Sequence, residues 1–101
     1  MTDRESGIGP SVDTLHQQRE PEELADLEVA AFLRVVGRRI RLLRHTQELS
    51  QDQLATATGI SRSFISLIEH GERGANVTRL YKLARVLGVE PWELLQPASQ
   101  R

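Results

Sequence analysis

The stretch that decides the fold is SQDQLATATGISRSFISLIEHG, residues 50–71. Ser50 is a favourable N-cap, and Gln53 three positions later completes a capping-box pattern, so a short helix is predicted to begin here. Gly59 follows where the end of a helix favours a left-handed residue. Ser61 then caps a second short helix. The stretch therefore predicts two helices joined by a tight turn.

The apolar residues of this stretch have the spacing of a contact between two helices. We expect the following side chains to form that contact: Leu54, Ala55, Ile60, Ile65 and Ile68. Ala55 is small enough to let the two backbones approach closely. Helical pairs of this kind occur in many all-helical proteins, and also in the supersecondary motif whose second helix enters the DNA major groove. The spacing alone does not choose between these uses.

Upstream of this stretch, a basic amphipathic helix is predicted. Pro21 suits a first helical turn, and helical spacing continues to about His45. No strong helix breaker lies between Pro21 and Gly37, so one long helix and a short helix followed by a bend are both compatible with the sequence. Residues 45–48 lose the period and are predicted to form a connection.

Downstream, two more helices are predicted. Asn76 can cap a fourth helix, which Gly88 ends, and Pro91 begins a short fifth helix. No segment has the period of two that indicates strands, so the fold class is predicted to be all-α. We divide the chain into a disordered arm, an acidic helical extension, a folded domain and a flexible tail, over residues 1–19, 20–30, 31–96 and 97–101.

Composition limits the class of protein. Hydrophobic residues make up 39% of the 101 residues and aromatic residues 4%, so the core must be mainly aliphatic. The chain has no cysteine, which excludes thiolate metal sites and thiol catalysis and fits a reducing cytoplasm. No apolar run approaches the roughly 20 residues that span a membrane. We therefore expect a cytoplasmic protein without membrane contact.

Charge is distributed unevenly along the chain. The overall formal charge is −1, but residues 1–30 carry eight acids and two bases, whereas residues 31–101 carry eleven bases and six acids. The folded part thus has a net charge of +5 behind a leader of −6. This asymmetry favours a polyanionic partner for the folded part.

From about Gly37 to Leu95 the chain resembles the Cro and phage-repressor-like helix-turn-helix regulators, the XRE family. The resemblance rests on four segments: GRRIRLLR, LSQDQLATATGIS, SRSFISLIEHGER and LYKLARVLGVEPWELL. It implies a five-helix lambda-repressor-like DNA-binding domain without a cofactor, and a member such as a restriction–modification controller protein. The implied function is that of a transcriptional regulator, which binds a pseudo-palindromic operator in double-stranded DNA as a dimer, with helix 61–70 in the major groove.

The resemblance also implies which residues touch DNA. Base contacts are expected from the exposed face of the third helix, at Arg62, Ser63, Ser66 and Leu67. Arg62 is the strongest candidate, since a guanidinium can bond O6 and N7 of guanine together. Phe64 could also touch a thymine methyl, but burial is its expected fate. Contacts to the DNA backbone are expected from Gln51, His70, Arg73, Asn76 and Arg79.

Two further sets of residues follow from the resemblance. Arg44 and Glu69 occupy positions that form a structural ion pair in several members, although two independent surface charges are the alternative. A dimer interface is expected from Val89, Trp92, Leu94 and Leu95. Anchoring of Trp92 in the core is a competing interpretation.

Two rival functions were weighed. An enzyme is disfavoured because the histidines lack metal-ligand spacing and no phosphate-binding GxxxxGK[ST] motif is present, so no catalytic or metal-binding residue is predicted. The second rival is an antitoxin-like protein-interaction module. Its basis is the acidic segment 20–30, where Leu24, Leu27 and Val29 could contact a protein partner, a second subunit or the domain itself.

Overall fold

A computed structural model describes residues 21–97. Four α-helices and a short 3₁₀ helix follow one another: α1 Pro21–Thr46, α2 Gln51–Thr58, α3 Arg62–Glu69, α4 Val77–Leu87 and the 3₁₀ helix Pro91–Leu95. This described part of the chain contains no strand, in agreement with the all-α prediction. The predicted arm, residues 1–19, and all but the first residue of the predicted tail lie outside the described residues.

Helix α1 is one continuous helix of 26 residues, so no bend separates the predicted extension from the domain. Glycine at position 37 is a packing requirement and does not break the helix. A Cβ atom there would overlap the carbonyl oxygen of Ile68 and lie 2.6 Å from that of Glu69. The C-terminal half of α1 therefore lies directly against the end of α3.

The end of α1 differs from the sequence prediction. The helix continues to Thr46, one residue beyond the predicted end near His45, and so includes the first two residues of the segment that was expected to form the connection. Glu48 then adopts a positive φ of 60°, and the backbone N–H of Leu49 donates to the carbonyl of Arg44 at 3.0 Å. A glutamate thus occupies the left-handed position that glycine usually fills at a helix end.

The caps of α2 and α3 form as the sequence predicts. Gln53 N–H donates to Ser50 Oγ at 3.0 Å, and Ser50 N–H donates to Gln53 Oε1 at 2.8 Å, which completes the capping box. Gly59 follows α2 with a φ of 79°. Ser61 Oγ accepts from Phe64 N–H at 3.1 Å and starts α3. These local bonds set the length of the turn between the two helices.

The last two elements close the fold. Asn76 Oδ1 accepts from Arg79 N–H at 2.8 Å and caps α4, which ends at the left-handed Gly88. The predicted fifth helix is a 3₁₀ helix, in which Glu93 N–H donates to the carbonyl of Glu90 at 2.9 Å. Such i to i+3 bonds are typical of very short helical segments.

One aliphatic core joins all five elements. Its buried members are Val36, Ile40, Leu54, Ile60, Ile65, Ile68, Leu83, Ala84, Leu87 and Leu94. Leu94 was expected at a dimer surface, but its side chain has no exposed area, because the 3₁₀ helix turns it into this core. Trp92 is 61% exposed and therefore does not anchor the core. In residues 21–97, no helix combines the length and the apolar character that crossing a membrane requires.

Candidate nucleic-acid interface

Helices α2 and α3 form a hairpin whose turn is anchored by the buried side chain of Ile60. Leu54 is also buried between the helices, and Ala55, which was expected in this contact, is half-buried. Thr58 adds two hydrogen bonds to the turn that were not predicted from the sequence. Its Oγ1 donates to the carbonyl of Leu54 at 2.8 Å and accepts from Ile60 N–H at 3.2 Å. The turn between the helices is therefore held by side-chain bonds as well as by packing.

The N-terminal part of α3 faces solvent. Arg62 and Ser63 are exposed, and Ser66 and Leu67 one turn later are half-buried. Arg62 and Ser66 are four positions apart and share one face of the helix, as do Ser63 and Leu67, and the two faces adjoin, so these four side chains lie on one side of α3. That surface combines a guanidinium, two hydroxyls and a methyl-bearing side chain, which are the groups that read base edges in the major groove.

The Arg62 guanidinium is loosely held in the free protein. Its Nε lies 3.1 Å from Asp52 Oδ1 on α2, with the two side chains 64% and 76% exposed. An ion pair this exposed contributes little energy, because water and salt screen it. Arg62 can therefore exchange Asp52 for a stronger acceptor at small cost.

The other end of α3 is fastened by a buried ion pair. Arg44 Nε donates to Glu69 Oε2 at 2.6 Å, and Arg44 Nη2 donates to Oε1 at 2.9 Å. Arg44 also donates to the carbonyl of Leu49 at 2.8 Å. Both side chains are almost inaccessible, with 8% and 2% exposed. The structure thus brings Arg44 and Glu69 together as a bidentate ion pair between α1 and α3, which we call the clamp.

Gln51 joins this clamp, which the sequence analysis did not foresee. Its Nε2 donates to Glu69 Oε1 at 3.0 Å, so the start of α2 is bonded to the end of α3. Burial opposes ionisation of Glu69, but hydrogen bonds from Arg44 and Gln51 and the charges of Arg44 and Arg41 outweigh it and hold its pKa below the ordinary value. The hydrogen bond with Glu69 likewise raises the pKa of Arg44. The clamp is therefore fully charged at neutral pH.

Apart from Gln51 at the start of α2, the residues predicted to contact the DNA backbone lie in or near the loop between α3 and α4. His70 Nδ1 lies 2.8 Å from the carbonyl of Ser66, and because that oxygen only accepts, Nδ1 carries the proton. Asn76 Oδ1 is occupied by the α4 cap, which leaves its amide nitrogen free to donate outward. Arg73 and Glu72 are both exposed, so the loop presents one charge of each sign.

Arg79 connects this loop region to α3. Its guanidinium carbon lies 4.6 Å from the centre of the Phe64 ring, within the range of a cation–π contact. Phe64 is half-buried, so it serves both as packing for the hairpin and as a platform for Arg79. The sequence signal was weak here, because the two residues are fifteen positions apart.

Two clefts of the described residues are each lined by one ionisable side chain, Arg73 in the first and Asp52 in the second. The cleft between α1 and the loop after α3 has an apolar lining, including Phe32, Val36 and Leu95. A shallow depression on α2 is lined by Asp52, Gln53, Thr56 and Ala57. Within residues 21–97, no three histidine, aspartate or glutamate side chains lie close enough together to hold a metal ion.

Comparisons with known proteins place this geometry in a family. Residues 40–94 match the family model HTH_3, described as Helix-turn-helix. An uncharacterized HTH-type transcriptional regulator, y4dJ of Sinorhizobium fredii, is 34% identical over 67 residues, which cover 66% of this chain and 87% of the relative. Control protein C.BamHI of Bacillus amyloliquefaciens is 35% identical over 60 residues, covering 58% of this chain and 74% of that protein.

A solved structure agrees with these relatives. The restriction-modification controller protein C.AhdI from Aeromonas hydrophila superposes with a TM-score of 0.62 and 41% sequence identity, over 63% of this chain and 97% of that one. The family match covers more than half of the chain and contains the α2–α3 hairpin, the clamp residue Glu69 and the 3₁₀ helix up to Leu94. The chain therefore belongs to the XRE-type helix-turn-helix family HTH_3, whose members are DNA-binding transcriptional regulators.

Proposed function

We propose that the protein binds a pseudo-palindromic operator in double-stranded DNA as a homodimer, with one α3 helix in the major groove of each half-site. The observation that carries this proposal is the contrast between the two ends of α3. Glu69 at its C-terminal end is clamped and buried, whereas Arg62 and Ser63 at its N-terminal end are exposed. A helix whose position is fixed in this way can present its exposed side chains to base edges in a defined register.

Base reading is assigned to the exposed face of α3, with Arg62 as the main reader. Its guanidinium would leave Asp52 and bond O6 and N7 of a guanine, which is worth roughly 1–3 kcal/mol of discrimination. Ser63 and Ser66 would donate to or accept from neighbouring base edges. Leu67 would lie against a thymine methyl.

Contacts to the DNA backbone would hold α3 in register. The N-terminus of α2 carries a partial positive charge and bears Gln51, so it suits a phosphate. The loop after α3 would add His70, Arg73, Asn76 and Arg79, with Glu72 directed away from the DNA. Such contacts carry affinity and orientation and little sequence information.

The homodimer would place two α3 helices about 34 Å apart, one turn of DNA. We assign Val89, Trp92 and Leu95 to the contact between subunits, because Trp92 is 61% and Leu95 40% exposed. Regulation would follow from occupancy: the position of the operator relative to a promoter decides whether transcription is blocked or helped. Control proteins of restriction-modification systems, such as the relatives C.BamHI and C.AhdI, are the type of regulator that the chain resembles.

Selection of bound sequences from random DNA duplexes tests the proposal. We expect an inverted repeat whose half-site centres lie about one helical turn apart. Recovery of duplexes without a shared sequence would contradict sequence-specific binding. Recovery of a single half-site would contradict the dimer and leave specific binding intact.

Two variants then separate base reading from backbone contact. Arg62→Ala should relax the preference at one base pair of each half-site, by roughly 1–3 kcal/mol, because it removes a bidentate contact to that pair. Gln51→Ala should weaken binding to all sites about equally. Titration of one consensus duplex and of point-substituted duplexes distinguishes the two patterns. Because Gln51 also bonds Glu69, the thermal unfolding of that variant is measured alongside.

A further inference from the structure

Helix α1 carries a second apolar face, which points away from the domain. Its members are Leu24, Leu27, Ala31, Val35 and Leu42, which we call the outer stripe. Leu24 and Val35 are eleven residues apart, as are Ala31 and Leu42. Eleven residues make almost three full helical turns, so the stripe runs nearly parallel to the helix axis. Leu27 is 68% exposed, Leu42 45% and Leu24 36%. The core residues Val36 and Ile40 lie on the opposite side of α1, roughly half a turn away.

The charges of α1 are sorted by sign along the helix, and one of them, Arg38, lies within the register of the outer stripe, three positions after Val35 and four before Leu42. Glu23, Asp26 and Glu28 lie in the N-terminal half of α1, and residues 23–33 contain no base. The C-terminal half, residues 34–46, contains no acid and bears the following arginines: Arg34, Arg38, Arg39, Arg41 and Arg44. Within residues 21–97, Arg44 is the only one of these arginines that forms an ion pair with a buried acid.

Neither the helix dipole nor the family accounts for this arrangement. The dipole acts within the first and last turns of a helix, whereas Glu28, Arg34 and Arg38 lie well inside α1. The family match begins at residue 40, so the acidic half of the outer stripe lies outside it. An exposed apolar stripe of this length, flanked by ordered charges, is typical of a protein–protein contact.

We propose that the outer stripe is covered by the outer stripe of a second copy of this chain, with the two α1 helices antiparallel. Antiparallel pairing centred between Leu24 and Leu42 would bring each acidic half against the basic half of the other helix. Parallel pairing would set acid against acid and base against base, which is unfavourable. The occupant that matches both the apolar spacing and the reversed charge order is therefore a second copy.

This pairing rests on the proposed homodimer. It adds the outer stripe as a second contact surface of that dimer, beside the C-terminal surface of Val89, Trp92 and Leu95. Arg39 Nε donates to the carbonyl of Glu93 at 3.4 Å, so the 3₁₀ helix lies alongside α1. Phe32 and Leu95 line the same cleft. The 3₁₀ helix that carries Trp92 and Leu95 thus packs beside α1, so the proposed interface extends from the outer stripe to the C-terminal surface.

Disulfide cross-linking tests the pairing, because the chain has no cysteine of its own. Leu24→Cys and Leu42→Cys are made separately in the full chain and oxidised at micromolar concentration, alone and mixed. Disulfides require Cα atoms within about 7 Å, whereas positions 24 and 42 of one helix are roughly 27 Å apart. Antiparallel pairing therefore predicts a cross-linked dimer in the mixture and none with either variant alone.

Val77→Cys provides the matched control, because Val77 is 82% exposed and lies outside α1. It should not cross-link to itself or to Leu24→Cys. Cross-linking of Leu24→Cys alone would overturn the antiparallel arrangement. Absence of any cross-link in the mixture would overturn the pairing and leave another protein or another segment of the chain as the occupant.

The mass of the protein in solution gives a second test. Leu27→Lys should raise the dissociation constant of the dimer at least tenfold, because antiparallel pairing sets position 27 against the basic half of the other α1, whereas Val77→Lys should leave it unchanged. Sedimentation equilibrium measures both variants and Trp92→Ala. If Trp92→Ala dissociates the dimer and Leu27→Lys does not, the α1 pairing fails while the proposed homodimer stands. If the native chain is monomeric, both dimer surfaces fail, and duplex selection still tests the DNA-binding proposal by itself.

Discussion

Helix α3 carries an ion pair at each end, and the two pairs differ in every property that sets their energy. The Arg44–Glu69 pair is bidentate, its shortest nitrogen–oxygen distance is 2.6 Å, and less than a tenth of either side chain is exposed. The Arg62–Asp52 pair has one contact of 3.1 Å, with most of both side chains in solvent. A charged group that cannot return to water must keep its partner, whereas an exposed one can exchange it.

This difference separates two tasks within a helix of eight residues. The buried pair fixes the position of α3 relative to α1 and, through Gln51, relative to the start of α2. The exposed pair leaves Arg62 available for a ligand. Changes at the buried end should therefore act on stability, and changes at the exposed end should act on DNA binding.

The largest effect is expected from removal of the buried acid. Glu69→Ala leaves the Arg44 guanidinium buried without its partner, and such a change costs about 3 kcal/mol or more of the free energy of unfolding. Urea unfolding measures this loss. Asp52→Ala is the matched control at the exposed pair and should cost less than about 1 kcal/mol. Equal losses for the two variants would remove the distinction between the pairs.

Gly37→Ala tests the close backbone contact between α1 and the same end of α3. Alanine normally stabilises a helix relative to glycine, but here its Cβ would overlap the backbone of Ile68 and lie 2.6 Å from the Glu69 carbonyl oxygen. We expect a loss of about 2 kcal/mol by urea unfolding. Gly74→Ala is the control, since its Cβ would meet only a Leu33 methyl at 3.3 Å. A gain in stability for Gly37→Ala would show that α1 and α3 can move apart freely.

The pH dependence of stability sharpens the comparison further. Burial disfavours the ionised form of Glu69, but the bonds from Arg44 and Gln51 prevail, and its pKa in the folded protein lies below the ordinary 4.5. The contribution of ionised Glu69 to the free energy of unfolding is therefore complete above about pH 4.5, and it declines as the pH falls through the folded-state pKa. The stability advantage of the native chain over Glu69→Gln should shrink between pH 5 and pH 3 in urea unfolding. A constant advantage over that range would contradict a charged clamp.

The smallest effect is expected at the exposed end. Asp52→Asn removes the acceptor of Arg62 and a negative charge near the proposed DNA surface. Thermal unfolding should change little, because the pair is exposed. Affinity for a consensus duplex at low salt should rise by about two- to threefold, and the gain should disappear at high salt. Weaker binding would instead mean that Asp52 orients Arg62 for its contact.

Local features of this protein were determined by the sequence alone. Five helix ends, the starts of α2, α3 and α4 and the ends of α2 and α4, follow from Ser50, Ser61, Asn76, Gly59 and Gly88, because each cap is a bond to a residue within four positions. The buried stripes were predictable for a similar reason, since the period of a helix fixes which side chains share a face. The candidate base-contact residues of α3 were instead implied by the family resemblance.

Tertiary structure decided everything that depends on approach between distant segments. Gly37 lies within a continuous helix because the backbone of α3, about thirty residues away in sequence, comes too close for a side chain. Gln51 contacts Glu69 across 18 positions, and Arg79 stacks on Phe64 between two helices. Trp92 and Leu94 were both candidates for a dimer surface. The 3₁₀ helix directs the Leu94 side chain into the core and leaves the Trp92 side chain exposed. Local bonds select the helices of this chain, but only their packing determines which side chains remain free to bind.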